Sequence, residues 1–259
     1  MPEIELEAID LYFRASGKGR FPGRKQALRS AMSASDRVLR RPGQAVLEVR
    51  ALQQVSLRVR PGERVGVMGR NGSGKSTLLK VLAGIYPPTG GRRRVEGTIS
   101  SLFDISLGFE PDATGLENIQ CRGYLLGETP ASLRAKLPAI VEFSELGEFV
   151  TAPIRLYSAG MRMRLAFTIA AAVDPEILLV DEFLSVGDLA FRDKALLRVR
   201  EMLSRAGLFV FVSHDLEMLP RFCERGIWLD AGRIRQDGPI GSVIAAYQQA
   251  SRAAPSAAA

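Results

Sequence analysis

One segment combines three glycines, a lysine and three hydroxyl side chains in an order that suits phosphate binding. It consists of Gly69, Arg70, Asn71, Gly72, Ser73, Gly74, Lys75, Ser76 and Thr77. The segment matches the pattern G-x-x-x-x-G-K-[ST], in which glycines let backbone N–H groups point at phosphate oxygens. Lys75 would then reach the β and γ phosphates, and the Ser76 hydroxyl would bind Mg²⁺. We interpret the segment as a loop that binds a nucleoside triphosphate.

The residues on either side of this segment give it the context that the pattern requires. The apolar run 64–68 precedes it and predicts a strand, whereas the leucine-rich run 78–82 follows it and predicts a helix. A helix that begins near Ser76 would add the positive end of its dipole to the phosphate site. A glycine-rich turn without a ligand is the alternative, and this strand–loop–helix order argues against it.

An acidic pair follows the aliphatic run 177–180, which is short enough to be a buried parallel strand. Open α/β sheets bind ligands at the carboxyl ends of their strands, where Asp181 and Glu182 would lie. We expect Asp181 to hold Mg²⁺, directly or through water, and Glu182 to act as the general base or to polarise the attacking water. Such a pair by itself would more often cap a helix, but Lys75 upstream favours the catalytic interpretation.

His214 is the single histidine and follows the apolar run 209–213. A lone histidine behind an apolar strand is more often structural than functional. The position of His214, one predicted strand after Asp181, instead favours a functional role, in which His214 donates a hydrogen bond to the γ-phosphate.

Strand-like and helix-like patterns alternate along most of the chain, which predicts an α/β fold. The predicted strands cover 4–11, 51–59, 95–103, 177–180 and 209–212, with a hairpin at 227–236. The predicted helices cover 76–83, a region from 115 to 149, 158–173 and 242–249. We expect the tail, residues 247–259, to be disordered because it is rich in alanine and serine.

Composition excludes several classes of protein. The 259 residues carry a net charge of +7 and two isolated cysteines, so a disulfide framework or a zinc site is not expected. No apolar run approaches the roughly 20 residues that cross a bilayer. The positive charge is compatible with an anionic neighbour, such as nucleic acid, anionic lipid or phosphate.

A basic insertion, residues 14–43, lies between the first two predicted strands, 4–11 and 51–59. Its apolar residues between Leu28 and Leu39 recur at helical spacing, which predicts a short amphipathic helix. Contact with a membrane or a partner and a solvated surface excursion remain equally good interpretations.

The motif Leu156-Tyr157-Ser158-Ala159-Gly160-Met161 resembles the signature motif of the ABC ATPase family, usually Leu-Ser-Gly-Gly-Gln. Ser158 and Gly160 are retained at the start of a predicted helix, where a hydroxyl and backbone N–H groups can meet a phosphate. The resemblance implies that this helix closes over ATP held by the other subunit. Two ATP molecules would then lie between two identical chains.

Further motifs are similar to those of one branch, the ATP-binding subunits of O-antigen and teichoic-acid type polysaccharide exporters. They lie at 108–111, 114–119 and 181–188, and the resemblance as a whole runs from Ile4 to Ala246. It implies a P-loop NTPase fold of the ABC ATPase type, covering 1–246, with an antiparallel β subdomain and a helical subdomain at about 115–173. It also implies a homodimer beneath two copies of an integral membrane permease, at the cytoplasmic face of the membrane. ATP hydrolysis would drive a lipid-linked glycan of O-antigen, teichoic acid, capsule or galactan type outward.

The chain departs from the family pattern at several positions. The glutamine expected near 101–106 is absent, and Asp104 is the candidate replacement. The aromatic side chain that stacks on adenine would be Tyr12 or Phe13, of which the strand register favours Phe13. The carbohydrate-binding domain that often follows in this branch is not expected here.

Two other functions remain open at this point. One is an exporter of another lipid or small molecule. The other is an ATPase acting on nucleic acid, which is disfavoured because the basic residues lack interleaved aromatic side chains for base stacking.

Overall fold

The computed structural model describes residues 1–16, 38–40, 46–103, 105, 108–181 and 189–253. The strands are β1 (Glu3–Ser16), β2 (Val38–Arg40), β3 (Val46–Val59), β4 (Arg64–Met68), β5 (Gly90–Glu96), β6 (Ile99–Leu102), β7 (Ile177–Asp181), β8 (Leu208–Val212), β9 (Arg225–Asp230) and β10 (Arg233–Pro239). The helices are α1 (Lys75–Leu82), α2 (Gly115–Leu125), α3 (Pro130–Ser144), α4 (Ala159–Ala171), α5 (Leu189–Arg205), α6 (Leu219–Phe222) and α7 (Ile240–Ala253). The chain divides into two compact units, Met1–Gly97 with Val210–Ala259, and Thr98–Phe209.

The first unit contains an antiparallel sheet with strand order β2-β3-β1-β5. Apolar residues of β1 are buried at Ile4 and Leu6 and again at Ile9 and Leu11. The alternation changes phase between Leu6 and Ile9 because the pairing with β3 shifts register there, and Ala8 has a positive φ of 47°. The strand predicted at 4–11 is therefore confirmed and carries a bulge.

The first unit also contains the strand that leads into the glycine-rich segment. Strand β4 pairs in parallel with β9, and β9 pairs antiparallel with β10 as the predicted hairpin. The end of β8 adjoins β4 on its other side. Val65, Val67 and Met68 of β4 are fully buried, which anchors the start of the phosphate-binding segment.

The second unit contains β6 and β7, which pair in parallel, and the start of β8 beside β7. The first four residues of β7 and all of β8 are buried, which explains why both read as unbroken apolar runs. A separate apolar core joins α2, α3 and α4 to two short 3₁₀ turns at Gly147–Thr151 and Ile154–Leu156. The predicted helical subdomain, 115–173, lies within this unit, and its limits remain a prediction.

Two predictions about local structure are wrong. Leu39, the end of the predicted amphipathic helix, lies in β2, where it is paired with Glu48 of β3. Helical spacing of apolar residues does not hold there because strand pairing supplies the backbone hydrogen bonds instead. Residues 14–16 of the basic insertion belong to β1, and residues 17–37 and 41–43 lie outside the described residues.

The second error concerns the tail. Helix α7 continues to Ala253, so residues 247–253 are helical rather than disordered. The ring of Tyr247 packs against Trp228 of β9 at 5.7 Å, and Val243 is fully buried, so tertiary contacts stabilise this helix. Residues 254–259 lie outside the described residues. None of the helices that the structure describes has the length and apolar character of a membrane span.

Candidate active site

The backbone of the glycine-rich segment passes too close to its neighbours to carry side chains at two of its glycines. A β-carbon on Gly69 would lie 2.1 Å from the carbonyl oxygen of Leu229. Gly74, the N-cap of α1, has a φ of 106°, and a β-carbon there would lie 2.8 Å from the carbonyl oxygen of Ala51. The glycines predicted from the motif are thus required by the fold of the loop itself.

Lys75 lies inside this loop. The residue is only 7% exposed, and its ammonium group donates hydrogen bonds to the carbonyls of Gly69 at 2.8 Å and Arg70 at 3.2 Å. The cation is therefore held in the concave side of the loop, where an anionic ligand would find both a charge and backbone donors.

Helix α1 begins at this lysine and supplies the dipole that the sequence predicts. No acidic side chain lies in its first turn, so no carboxylate of that turn offsets the partial positive charge of the helix N-terminus. Leu78, Leu79, Val81 and Leu82 are fully buried and fix the helix. Ser76 is exposed at the start of the helix, where its hydroxyl is accessible to a ligand.

The loop is also held by the turn between β9 and β10. The backbone N–H of Gly232 donates to the carbonyl of Ser73 at 2.9 Å, and the Gly232 carbonyl accepts from the backbone N–H of Gln53 at 2.8 Å. The Gln53 side-chain amide donates to the Ala231 carbonyl at 3.0 Å. Sequence reasoning identified this turn only as a hairpin and missed its contact with the phosphate-binding segment.

His214 belongs to the same unit as the loop and is exposed directly after β8. The backbone N–H of the preceding Ser213 donates to the carbonyl of Val67 at 3.3 Å, two residues before the loop begins. The Asp215 carboxylate accepts the backbone N–H of Glu217 at 2.9 Å, which orders the residues that follow. A contact between His214 and a γ-phosphate remains a prediction.

The two candidates for adenine stacking have different surroundings. The Tyr12 ring has the Arg50 guanidinium over it at 5.5 Å from the centroid. Phe13 is 39% exposed, and its ring meets Tyr86 at 5.4 Å between centroids with an interplanar angle of 77°. The exposure favours Phe13, as the strand register does, while its role remains a prediction.

The predicted residues of the second unit are placed in part. Asp181 is the last residue of β7 and is half-buried, so its carboxylate stands at the carboxyl end of a parallel strand as predicted. Glu182 and Asp104 lie outside the described residues, as does the rest of the motif at 182–188.

The signature-like motif forms the N-terminus of α4. Ser158 is the N-cap, and its hydroxyl accepts the backbone N–H of Met161 at 3.2 Å. The preceding Tyr157 is buried, its hydroxyl donates to the Phe149 carbonyl at 2.6 Å, and burial raises the pKa of this phenol. Among the described residues, a β-carbon on Gly160 would meet only the Ser158 hydroxyl, at 3.8 Å. Packing within the described part of the chain therefore does not require glycine at this position.

The motifs at 108–119 have a structural explanation. The buried Asn118 side chain accepts the backbone N–H of Glu110 at 2.9 Å and donates to the carbonyls of Glu110 at 3.1 Å and Thr114 at 2.9 Å. Thr114 and Glu117 form a capping box at the start of α2. The Thr114 backbone N–H, at 2.7 Å, and then its hydroxyl, at 2.8 Å, hold the pKa of Glu117 below its usual value.

The side-chain atoms predicted to bind a metal ion are all oxygens. In the described ranges no three His, Cys, Asp or Glu side chains are grouped so that they could hold a metal. The predicted ligands are one serine hydroxyl, on Ser76, and one carboxylate, on Asp181. Mg²⁺ is bound in this way when substrate phosphates and water complete its coordination, so these residue types fit Mg²⁺.

Comparison of the sequence with known proteins gives consistent results. The profile described as ABC transporter matches residues 52–185. The chain is 46% identical over 202 residues to the O-antigen export system ATP-binding protein RfbB of Myxococcus xanthus, covering 78% of this chain and 46% of that protein. It is 43% identical over 192 residues to RfbE of Yersinia enterocolitica, named as the same kind of protein, covering 74% of this chain and 80% of that one.

A third relative comes from a different export system. The chain is 39% identical over 198 residues to the teichoic acids export ATP-binding protein TagH of Bacillus cereus, covering 76% of this chain and 36% of that protein. This chain thus spans about half the length of the Myxococcus relative and about a third of the Bacillus one. The predicted resemblance to subunits of O-antigen and teichoic-acid export is confirmed.

Solved structures show the same fold. One is a dimeric, post-hydrolysis state of an ATP-binding cassette bound to ADP and Pi, with a TM-score of 0.67 at 21% identity, covering 92% of this chain and 98% of that chain. Another is an ATP-binding subunit of an ABC transporter, with a TM-score of 0.68 at 20% identity, covering 97% of this chain and 95% of that chain. The likeness confirms the predicted fold class.

Proposed function

Because the chain belongs to the ABC transporter family, we propose that it is the ATP-hydrolysing subunit of an exporter that moves a lipid-linked polysaccharide across the cytoplasmic membrane. The observation that carries the cargo class is the identity of 39–46% to ATP-binding proteins of O-antigen and teichoic-acid export. The capacity to bind ATP is supported independently by the geometry of the glycine-rich loop.

The triphosphate binds in the loop 69–77. Backbone N–H groups of the loop and of the N-terminus of α1 surround the phosphates, and the Lys75 ammonium exchanges its carbonyl partners for phosphate oxygens. That exchange keeps the buried cation paired, which avoids the cost of leaving a charge unpaired in a buried site.

Hydrolysis requires a group that activates water and groups that stabilise the charge of the transferred phosphoryl group. Glu182 takes the proton of the attacking water, and His214 donates a hydrogen bond to the γ-phosphate. Ser76 and Asp181 would hold Mg²⁺, which neutralises charge on the β and γ phosphates when it is bound. Lys75 adds its own positive charge to the same phosphates.

The second half of each site comes from a second copy of the chain. Glycine in a helix costs about 0.5–1 kcal/mol relative to alanine, yet among the described residues only the Ser158 hydroxyl, at 3.8 Å, comes within 4 Å of a β-carbon on Gly160. A glycine that the chain's own packing does not need is explained if another molecule approaches the helix backbone closely. The N-terminus of α4, with the Ser158 hydroxyl, offers an anion site for the triphosphate held by the partner. The active species is therefore a homodimer with two ATP molecules between the chains.

The dimer works with two copies of an integral membrane permease, against which it lies at the cytoplasmic face of the membrane. Closure of the dimer on ATP and reopening after hydrolysis change the shape presented to the permease. In this scheme the glycan contacts the permease, while ATP binding and hydrolysis by this chain drive its transport.

The experiment is purification of the chain together with its permease in lipid vesicles. We expect a stable complex whose ATPase activity rises when the lipid-linked glycan is added, and loss of that activity in a Lys75→Ala complex. Cells that lack the chain should accumulate the lipid-linked glycan inside. Absence of a stable complex, or stimulation by other lipids and not by the glycan, would contradict the proposed cargo.

A further inference from the structure

Two aromatic rings meet in the first unit, which contains the phosphate-binding loop. Only one of them, Phe13, was predicted from the sequence as a base-stacking residue. Phe13 of β1 and Tyr86, which follows α1, lie 5.4 Å apart between centroids with nearly perpendicular rings. In a T-shaped pair, one ring points its edge at the face of the other. Whichever ring presents its edge here, at least one face of the Phe13 ring is left uncovered by Tyr86. Phe13 is 39% exposed, so part of the residue is accessible to a flat ligand.

Tyr86 is itself held in place by α1. Its backbone N–H donates to the carbonyl of Lys80 at 3.2 Å, and the Lys80 carbonyl also accepts the backbone N–H of Ile85 at 2.9 Å. The Lys80 ammonium lies over the Tyr86 ring, 5.6 Å from its centroid. Tyr86 is thus fixed at the C-terminal end of the helix whose N-terminal end carries the phosphate-binding lysine.

The segment after Tyr86 is tied back to β1. Thr89 donates two hydrogen bonds to the carbonyl of Asp10, from its backbone N–H at 2.8 Å and from its hydroxyl at 2.9 Å. The strand that carries Phe13 and the segment that follows α1 are therefore linked by hydrogen bonds close to the ring pair.

We infer that Tyr86 is a positioning residue for nucleobase recognition: it holds the Phe13 ring so that its open face stacks on the base of the bound nucleotide. The inference rests on the proposed function, because it needs a nucleotide in the loop 69–77. A Phe13 ring without Tyr86 keeps its stacking surface but samples more rotamers, so stacking on the base costs more conformational entropy. The phosphates bind elsewhere and gain nothing from Tyr86.

This division of roles makes a selective prediction. An aromatic pair of this geometry is worth about a two- to tenfold change in a binding constant. We therefore expect Tyr86→Leu to weaken binding of the non-hydrolysable ATP analogue AMP-PNP by about that factor. Binding of inorganic tripolyphosphate, which has no base, should be unchanged. Tyr86→Phe should bind both probes as the unmodified chain does, because the ring is retained.

The measurement is isothermal titration calorimetry of both probes, with Mg²⁺, against the unmodified chain, Tyr86→Leu, Tyr86→Phe and the control Tyr124→Leu. Tyr124 is 48% exposed on α2 in the other unit, so its loss should alter neither constant. The ratio of the two dissociation constants does not depend on the fraction of folded protein, so partial loss of folding cannot imitate the effect.

Three outcomes would be informative. Weaker AMP-PNP binding with unchanged tripolyphosphate binding supports the inference. Equal weakening of both probes, or no change in either, overturns it while leaving the proposed function intact. Failure of the unmodified chain to bind either probe overturns the proposed function, and the inference with it.

Discussion

The backbone N–H of Gly232 donates a hydrogen bond to the carbonyl of Ser73 at 2.9 Å, which ties the turn between β9 and β10 to the phosphate-binding loop. Gln53 of β3 is hydrogen-bonded to the same turn. The loop, the β9–β10 turn and β3, which are distant in sequence, are therefore joined by hydrogen bonds. The shape of the loop thus depends on the hairpin as well as on its own glycines. Pre-organised N–H groups bind phosphate without the cost of ordering the loop.

Substitution of Gly232 tests this dependence. Gly232 has a φ of 78°, and a β-carbon there would lie 2.6 Å from the Ala51 carbonyl oxygen. We expect Gly232→Ala to lower the free energy of unfolding by about 2–3 kcal/mol and to weaken AMP-PNP binding. Urea denaturation and calorimetry measure the two effects.

Gly62→Ala is the matched control, because Gly62 has a φ of 83° but no other described residue within 4 Å of the position a β-carbon would take. It should show only the backbone strain, about 1 kcal/mol, with unchanged AMP-PNP affinity. Equal effects of the two substitutions would mean that contact of the hairpin with the loop does not shape the site.

Sequence patterns were sufficient where a local rule determines the structure. The strand at 64–68, the helix from Lys75 and the buried strand ending at Asp181 follow from apolar runs and from the spacing of glycines and lysine. The capping role of Ser158 likewise depends only on residues within one turn of helix. These features supply most of the predicted nucleotide site.

Features that depend on distant contacts could not be predicted. The spacing between Leu28 and Leu39 suggested a helix, but pairing with β3 places Leu39 in a strand. The contacts of Gly232 with Ser73 and of Tyr86 with Phe13 join residues that no local pattern relates. The adjacent aromatics Tyr12 and Phe13, which follow the predicted strand 4–11, were a signal for a base-stacking residue, but nothing in the sequence pointed to Tyr86.

Gly160 distinguishes a role in the fold from a role in binding the partner's nucleotide. Because its β-carbon position is open, Gly160→Ala should not lower the free energy of unfolding, and helix propensity favours alanine by up to about 1 kcal/mol. The ATPase activity of the complex with the permease should nevertheless fall, since in the proposed dimer the added methyl group would lie where the partner's phosphates approach. Denaturation of the chain and ATPase assays of the complex check both parts.

Gly115→Ala provides the contrast. A β-carbon on Gly115 would lie 2.4 Å from the Tyr157 hydroxyl and 2.8 Å from the Val150 carbonyl. We expect it to destabilise the chain by about 1–3 kcal/mol.

Full ATPase activity in the Gly160→Ala complex would show that the N-terminus of α4 does not contact nucleotide.

Substitution of Glu182 tests its proposed role as the general base. Glu182→Gln should retain ATP binding and lower turnover by about 10²–10⁴-fold, because the water loses its base while the phosphate contacts persist. Single-turnover kinetics together with calorimetry separate the two quantities. Unchanged turnover would mean that another group activates the water.

The capping box of α2 predicts a pH dependence of stability. Hydrogen bonds from Thr114 lower the pKa of Glu117 in the folded chain. Its stabilising contribution is therefore fully present above the unfolded carboxyl pKa of about 4.3, and it is lost as the pH falls through the lower, folded value.

Glu117→Gln keeps a side chain that can complete the capping box but removes the titration. The free energy of unfolding of the unmodified chain should therefore fall more steeply below about pH 5 than that of Glu117→Gln. Urea denaturation at a series of pH values gives the two curves. Parallel curves down to the acid limit would show that Glu117 does not titrate differently in the folded state.

The central claim is that two copies of this chain close around ATP through the N-terminus of α4. The most direct test is the mass in solution of Glu182→Gln, which is expected to bind ATP without turnover, measured by light scattering with and without ATP and Mg²⁺. We predict a monomer without ATP and a dimer with ATP. Adding Ser158→Arg should abolish dimerisation, whereas adding Ser204→Arg, at the far end of α5, should leave it intact. A chain that binds ATP yet stays monomeric, or a dimer that forms equally well with Ser158→Arg, would contradict the claim.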